Sequence, residues 1–195
     1  MNQFYIQYGK RLLDLILMLV ILVVFSWLLL IVIFCYCLTW KFPILFRQLR
    51  MGRGGIPFEM WKLRTLSINE HGSLQNRRFK MGDFLRATNL DELPQLWNVL
   101  KGEMSLIGPR PLPMEYSSLF SAVQKRRFQV RPGITGWAQV NGRHSISWQK
   151  KFELDSYYVD NLSFRLDTII LIKTIVLLLS FRKDDSLHEE KFKGN

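Results

Sequence analysis

Two adjacent carboxylates, Asp91 and Glu92, open a stretch that reads as a helix over residues 91–101. About sixteen residues further on, Gly108-Pro109-Arg110-Pro111 holds a guanidinium between two prolines. Proline fixes its own φ and biases the residue before it, so this arginine is braced in a way an ordinary surface arginine is not. An acidic pair can supply a nucleophile or ligate a divalent cation. A fixed arginine fork recognises phosphate. The combination points to phosphoryl chemistry. A plainer reading makes Asp91 the N-cap of the helix, with Glu92 complementing the helix dipole. The two are compatible, because the free N–H groups at a helix start also hold phosphoryl oxygens.

Three other groups of residues bear on the same chemistry. In Trp61-Lys62-Leu63-Arg64-Thr65, Lys62 and Arg64 alternate onto one face of an expected strand, which is either a solvated face or part of a phosphate site. Arg86 lies five residues before Asp91, close enough in sequence to reach the same phosphates. The third is Val130-Arg131-Pro132-Gly133-Ile134-Thr135-Gly136-Trp137-Ala138-Gln139-Val140-Asn141-Gly142-Arg143, whose glycines serve backbone shape. His71, His144 and His188 are too scattered for a metal site, and no Ser/His/Asp or Cys/His set is visible. Cys35 and Cys37, two apart on a helix, point to different faces, which argues against a disulfide. Gly52-Arg53-Gly54-Gly55 lacks the spacing and lysine of a P-loop and reads as a turn.

Taken in order, these motifs resemble the signature of the bacterial sugar transferase family, the monotopic phosphoglycosyl transferases, over nearly the whole chain. That resemblance implies transfer of a sugar 1-phosphate from a UDP-sugar to polyprenol (undecaprenyl) phosphate, with release of UMP and the start of membrane-bound glycan assembly. It makes Asp91 the covalent nucleophile, forming an aspartyl phosphosugar. Glu92 then assists through a metal or as a base. Mg²⁺ suits carboxylate and phosphate oxygens, with Asp91 and Glu92 as its ligands. Lys62, Arg64, Arg86, Pro109 and Arg110 fall to phosphate binding, and Arg131, Gln139, Asn141 and Arg143 to nucleotide or sugar contacts. The tail over residues 148–167 looks most like small single-domain members acting on diacetamido sugars. That favours UDP-diacetamido-bacillosamine ahead of UDP-N-acetylgalactosamine. The family also implies a cytoplasmic domain on the inner membrane, with homo-oligomers or glycosyltransferases as possible partners. The competing readings are a non-catalytic, basic scaffold at the membrane surface and a phosphotransferase with another donor or acceptor.

The elements that must position these residues begin with a long apolar run. Residues 15–40 carry no charge, 26 residues in all, or about 39 Å as a helix against a hydrocarbon core of about 30 Å. Lys10 and Arg11 precede the run, and Lys41, Arg47, Arg50 and Arg53 follow it. The positive-inside bias therefore favours both ends on the cytoplasmic side, as in a re-entrant helix. The family breaks that helix with a Ser-Pro pair; here Ser26 is the expected break, but Trp27 follows it. Asp14, one turn from Lys10 and Arg11, reads as part of a surface charge cluster or as a headgroup-level anchor.

The rest of the chain is expected to be α+β. It reads as a compact, mainly helical cytoplasmic domain with a small sheet and interfacial amphipathic helices. The boundaries are 1–45 for the membrane helix, 46–181 for the domain and 182–195 for a polar tail. A strand is expected over 56–66 and a short helix over 82–86. Longer helices are expected over 114–130, 147–159 and 166–181, and a turn followed by a short strand over 131–141. The helix at 166–181 reads as lying on the bilayer, with Trp148, Tyr157 and Tyr158 as headgroup-level aromatics, or as a core helix. The whole chain of 195 residues carries a net charge of +11 and a pI near 9.9. That balance fits an anionic membrane or a phosphate-rich substrate. No basic run with interleaved aromatics marks a nucleic-acid partner.

Overall fold

The computed structural model describes residues 3–39, 41–68, 76–142, 145–180 and 192–194. Its first element is the long helix α1 (Lys10–Leu38), entered through a wider turn at Tyr5–Gly9. α1 is unbroken, so the break expected at Ser26 does not form. The reason is local. Trp27 keeps the N–H that a proline would remove, and the Ser26 hydroxyl merely donates back to the Val23 carbonyl at 3.0 Å. The run from Tyr5 to Leu38 is long and apolar enough to cross a bilayer. Most of it is exposed, including Leu19, Val23, Trp27, Leu30 and Phe34. An apolar face of this size in a basic protein is membrane-associating surface.

One stripe of α1 faces the rest of the molecule. Asp14, expected at the surface, is only 3 % exposed: its Oδ1 accepts from the Ser105 hydroxyl at 2.9 Å and the Leu106 N–H at 3.0 Å. Arg11 donates to the carbonyls of Val99 and Leu100, and Lys10 pairs with Asp167 at 2.8 Å. The three charged residues that looked like a surface cluster are pins between α1 and the domain. At the other end Val32 and Tyr36 pack with Leu63, Leu85 and Leu90, and the Tyr36 hydroxyl donates to the Arg64 carbonyl.

Two small sheets follow. β1 (Leu45–Met51) pairs antiparallel with β2 (Pro57–Leu63) across the Gly52-Arg53-Gly54-Gly55 turn. β1 escaped the sequence reading because its residues are mostly exposed and show no clean alternation. α2 (Lys80–Ala87) leads to a 3₁₀ turn, Leu90–Glu92, and then to α3 (Gln95–Lys101). The single helix expected over 91–101 is thus divided. Pro94 has no N–H to give to the Leu90 carbonyl, so the first turn closes with shorter-range bonds such as Leu93 N–H to Leu90. Gly102 ends α3 in the left-handed region at φ 82°.

β3 (Ser105–Ile107) and β4 (Gly133–Thr135) pair in parallel. Between them the helix expected over 114–130 is replaced by two 3₁₀ segments, Met114–Leu119 and Gln124–Gln129. Phe120 is buried in an aromatic cluster there. Ser121 and Gln124 exchange side chain-to-backbone bonds that restart the chain, as in a capping box. Over 131–141 the order is the reverse of the one expected: strand first, then the one-turn helix α4 (Trp137–Val140).

α5 (Trp148–Asp160) and α6 (Phe164–Leu179) are each capped by a serine, Ser147 and Ser163. α6 buries Leu166, Asp167 and Ile170 and exposes Ile172, Ile175 and Val176 on its other side, as an interfacial helix would. Tyr158, however, is no headgroup-level aromatic. It is 1 % exposed and donates to Asp167 at 2.8 Å. Trp148 packs in the Phe120 cluster, while Tyr157 is half exposed and stacks on Trp137. The main core joins α1, β2, α3, β3, α5 and α6 through residues such as Met18, Met60, Val99, Ile107, Tyr158 and Ile170.

Candidate active site

Four predicted residues meet around one carboxylate. Glu92 sits on the 3₁₀ turn, and its Oε1 accepts from Lys62 Nζ at 2.7 Å and Arg110 Nη2 at 3.1 Å. Asp91 is 7 % exposed, with its Oδ2 3.9 Å from the same ammonium. Lys62 comes from β2, and Arg110 from the turn after β3. Burial by itself pushes the Glu92 carboxyl up, but the charges of Lys62 and Arg110 and their hydrogen bonds outweigh it and hold it down at about 2. Glu92 is therefore ionised at every working pH and is a poor proton acceptor. That weighs against the expected base role and leaves electrostatic positioning or metal binding.

The arginine turn is braced from three sides. Gly108 N–H donates to Thr135, Gly133 N–H donates to the Pro109 carbonyl, and Ser105 N–H donates to Pro132. These contacts need glycine. A Cβ on Gly133 would stand 2.0 Å from Gly108 N, and one on Gly136 would stand 2.1 Å from Gly108 O. Pro109 thus shapes the turn. From behind, buried Arg127 donates to the Arg110 carbonyl at 2.5 Å and pairs with Asp155 at 3.1 Å. Arg50 on β1 donates to the Pro111 carbonyl at 3.3 Å. Burial, with Arg110 nearby, lowers its guanidinium to about 10, so it stays charged. Sequence reasoning missed Arg50 and Arg127 as parts of this assembly. Both sit in segments whose strand and 3₁₀ conformations it did not anticipate.

The other predicted residues lie elsewhere or turn to other partners. Arg86 pairs with Asp83 at 2.6 Å. Arg131 donates to the Gly102 carbonyl at the end of α3, in the field of Arg11 and Arg53. Asn141 accepts from Lys173 of α6 and donates to the Trp137 carbonyl. Arg64 is buried, and its Nε has no partner. Gln139, close to Gly136 and so to the arginine turn, has both amide atoms buried without a partner. A buried orphan amide is costly unless a ligand completes it. Arg143 lies outside the described residues, as do His71, His144 and His188. Cys35 and Cys37 are free.

For a metal, the described residues contain no group of three or more His, Cys, Asp or Glu side chains placed to hold one. Asp91 and Glu92 are the two carboxylates that would hold Mg²⁺, through the oxygens that Lys62 and Arg110 leave open. That ion is commonly bound by one or two carboxylates, with substrate phosphates and water completing the shell.

Comparison with known proteins gives the family. A family model described as bacterial sugar transferase matches residues 5–181. A Bacillus subtilis (strain 168) protein named an uncharacterized sugar transferase, EpsL, is 48% identical over 162 residues, covering 78% of this chain and 80% of that protein. Two relatives are named UDP-glucose:undecaprenyl-phosphate glucose-1-phosphate transferase. The one from Caulobacter vibrioides is 37% identical and covers 88% of this chain and 70% of its own length. The one from Klebsiella pneumoniae is 39% identical and covers 85% of this chain; the chain spans only 39% of that protein's length. The protein described here belongs to the bacterial sugar transferase family. It is an enzyme of the phosphoglycosyl transferase type.

Proposed function

We propose that the protein transfers a sugar 1-phosphate from a UDP-sugar to undecaprenyl phosphate, with Asp91 as covalent nucleophile. The observation that carries the proposal is the Lys62–Glu92–Arg110 cluster with Asp91 against it. An Asp91 oxygen attacks the β-phosphorus, the bond from that phosphorus to the bridging oxygen breaks, and UMP leaves. An oxygen of the lipid phosphate then attacks the same phosphorus and displaces Asp91, giving the polyprenyl diphosphate sugar. Lys62 and Arg110 face the oxygens on which charge develops. Mg²⁺ held by Asp91 and Glu92 would supply further neutralisation of that charge.

Relatives with named donors use UDP-glucose, as above, or galactose, as a UDP-galactose-lipid carrier transferase of Erwinia amylovora does. The resemblance of the tail favours a diacetamido sugar, so the donor panel must include all three. We place the domain on the cytoplasmic face of the inner membrane. Support comes from the basic residues flanking α1 and from the pinning of both its ends to one domain through Asp167 and Arg64.

The test is UMP release from UDP-sugars with undecaprenyl phosphate and Mg²⁺. The wild type should release UMP from one donor, and Asp91→Asn should fall by at least about 10³-fold. Release that persists in the mutant would retire the covalent step. No release from any donor would favour a non-catalytic scaffold.

A further inference from the structure

The polar tail, residues 182–195, holds a single aromatic ring of the Phe, Tyr or Trp kind, Phe192. It lies past residue 181, where the match to the family ends. A lone ring in a polar tail is expected in solvent, yet Phe192 is only 4 % exposed. Four other rings box it in. Its centroid stands 5.1 Å from Phe152, 5.5 Å from Trp148, 5.6 Å from Phe120 and 5.7 Å from Tyr116. The contacts with Phe152 and Tyr116 are edge-to-face, the arrangement that ring quadrupoles favour. Phe152 and Trp148 belong to α5, whereas Tyr116 and Phe120 follow the arginine turn between β3 and β4. Phe192 therefore ties α5 to the segment that carries Arg110.

The same cluster stands behind Arg110. Arg127 lies with its guanidinium 5.4 Å from the Phe152 ring centroid, donates to the Arg110 carbonyl and pairs with Asp155. Phe152 and Asp155 are three residues apart on α5 and share a face, so a shift of α5 moves both of them together. On the other side Leu112, two residues past Arg110, is buried in the cluster, and its carbonyl accepts from the Met51 N–H at 3.0 Å. The backbone at Arg110 thus rests on the aromatic cluster through Arg127 and through Leu112. Removing the Phe192 ring leaves a cavity beside Phe152. Phe152 is then free to change rotamer, and Arg127 loses the surface on which it lies. A site group is held only as well as the side chains that support it. We propose that Phe192 is a positioning residue, which from the C-terminal tail fixes Phe152 and Arg127 and through them sets Arg110 against the phosphoryl site. The proposal rests on the functional reading above and extends the working part of the enzyme to the tail.

The test uses the full chain in detergent micelles and compares Phe192→Ala, Phe192→Leu and, as the exposed neighbouring control, Lys193→Ala. Turnover is read as UMP release well below each variant's melting temperature. The second readout is the rate at which phenylglyoxal modifies Arg110, followed by mass spectrometry. Phe192→Ala should lower kcat/KM about tenfold, because a small misplacement of a group facing the reacting phosphate is costly. It should also raise the rate of Arg110 modification several-fold, since the guanidinium is no longer held on Glu92. Phe192→Leu, which refills part of the cavity, should fall between Phe192→Ala and the wild type in both readouts, and Lys193→Ala should match the wild type. If Phe192→Ala does not fold, Phe192→Leu carries the same comparison. A lower melting temperature with unchanged turnover and unchanged Arg110 modification would overturn the proposal, leaving Phe192 as an anchor for the tail alone. If the wild type turns over no donor, the reaction reading fails, and the modification rate of Arg110 still decides the positioning.

Discussion

Glu92 shows how a residue's neighbours set its role. Alone it is a carboxylate at a helix start; here two cations converge on one of its oxygens. Its folded value of about 2 lies below its ordinary 4.5. The stabilisation from that difference is fully present above the ordinary value and lost as pH falls through the folded one. It is on the order of 3 kcal/mol. Glu92→Gln should therefore lower stability at pH 7, and the gap to wild type should shrink as pH drops from about 4.5 towards 2. Thermal unfolding in detergent across that range checks this. A gap independent of pH would mean that the carboxylate is not held by Lys62 and Arg110.

Among the elements, the β3–β4 pair sets the position of Arg110. The parallel strands approach so closely at Gly108 and Gly133 that neither tolerates a side chain. In Gly133→Ala the new Cβ meets backbone, which cannot swing aside as a flexible side chain would. The expected cost is about 3 kcal/mol or more, with UMP release lost even in the folded fraction because the turn shifts. Gly102→Ala is the contrast. Its Cβ would have 3.7 Å to the nearest atom, but it sits at φ 82°, so the strain is conformational and should cost about 1 kcal/mol without loss of turnover. Melting temperatures and UMP release for the two variants separate close approach from backbone strain.

At the scale of the molecule, α1 belongs to the domain as much as to the membrane. Asp14, Lys10 and Arg11 fasten it to β3, α6 and α3. Asp14→Ala leaves the buried Leu106 N–H and the Ser105 hydroxyl without that acceptor and should destabilise by about 2 kcal/mol. A urea titration in detergent measures it; an unchanged midpoint would show that α1 docks without this pin.

The motifs themselves were legible in the sequence, because their chemistry is written in residue type and spacing. The acidic pair, the proline-braced arginine, the glycine-rich segment and the apolar run needed no coordinates. So were α2, α5 and α6, whose apolar positions, and for the last two serine caps, are local signals. The division of 91–101 at Pro94 was also written locally, but it hinges on a single missing N–H that an apolar-face pattern does not register. Tertiary structure alone decided which cations reach Glu92, that Arg86 and Arg131 turn to Asp83 and Gly102, and that Asp14 is buried. It also decided which stripe of α1 packs against the domain. Each of these depends on contacts between segments tens of residues apart. Burial, hydrogen-bond partner and charge environment are properties of those contacts, and no periodicity within one segment encodes them.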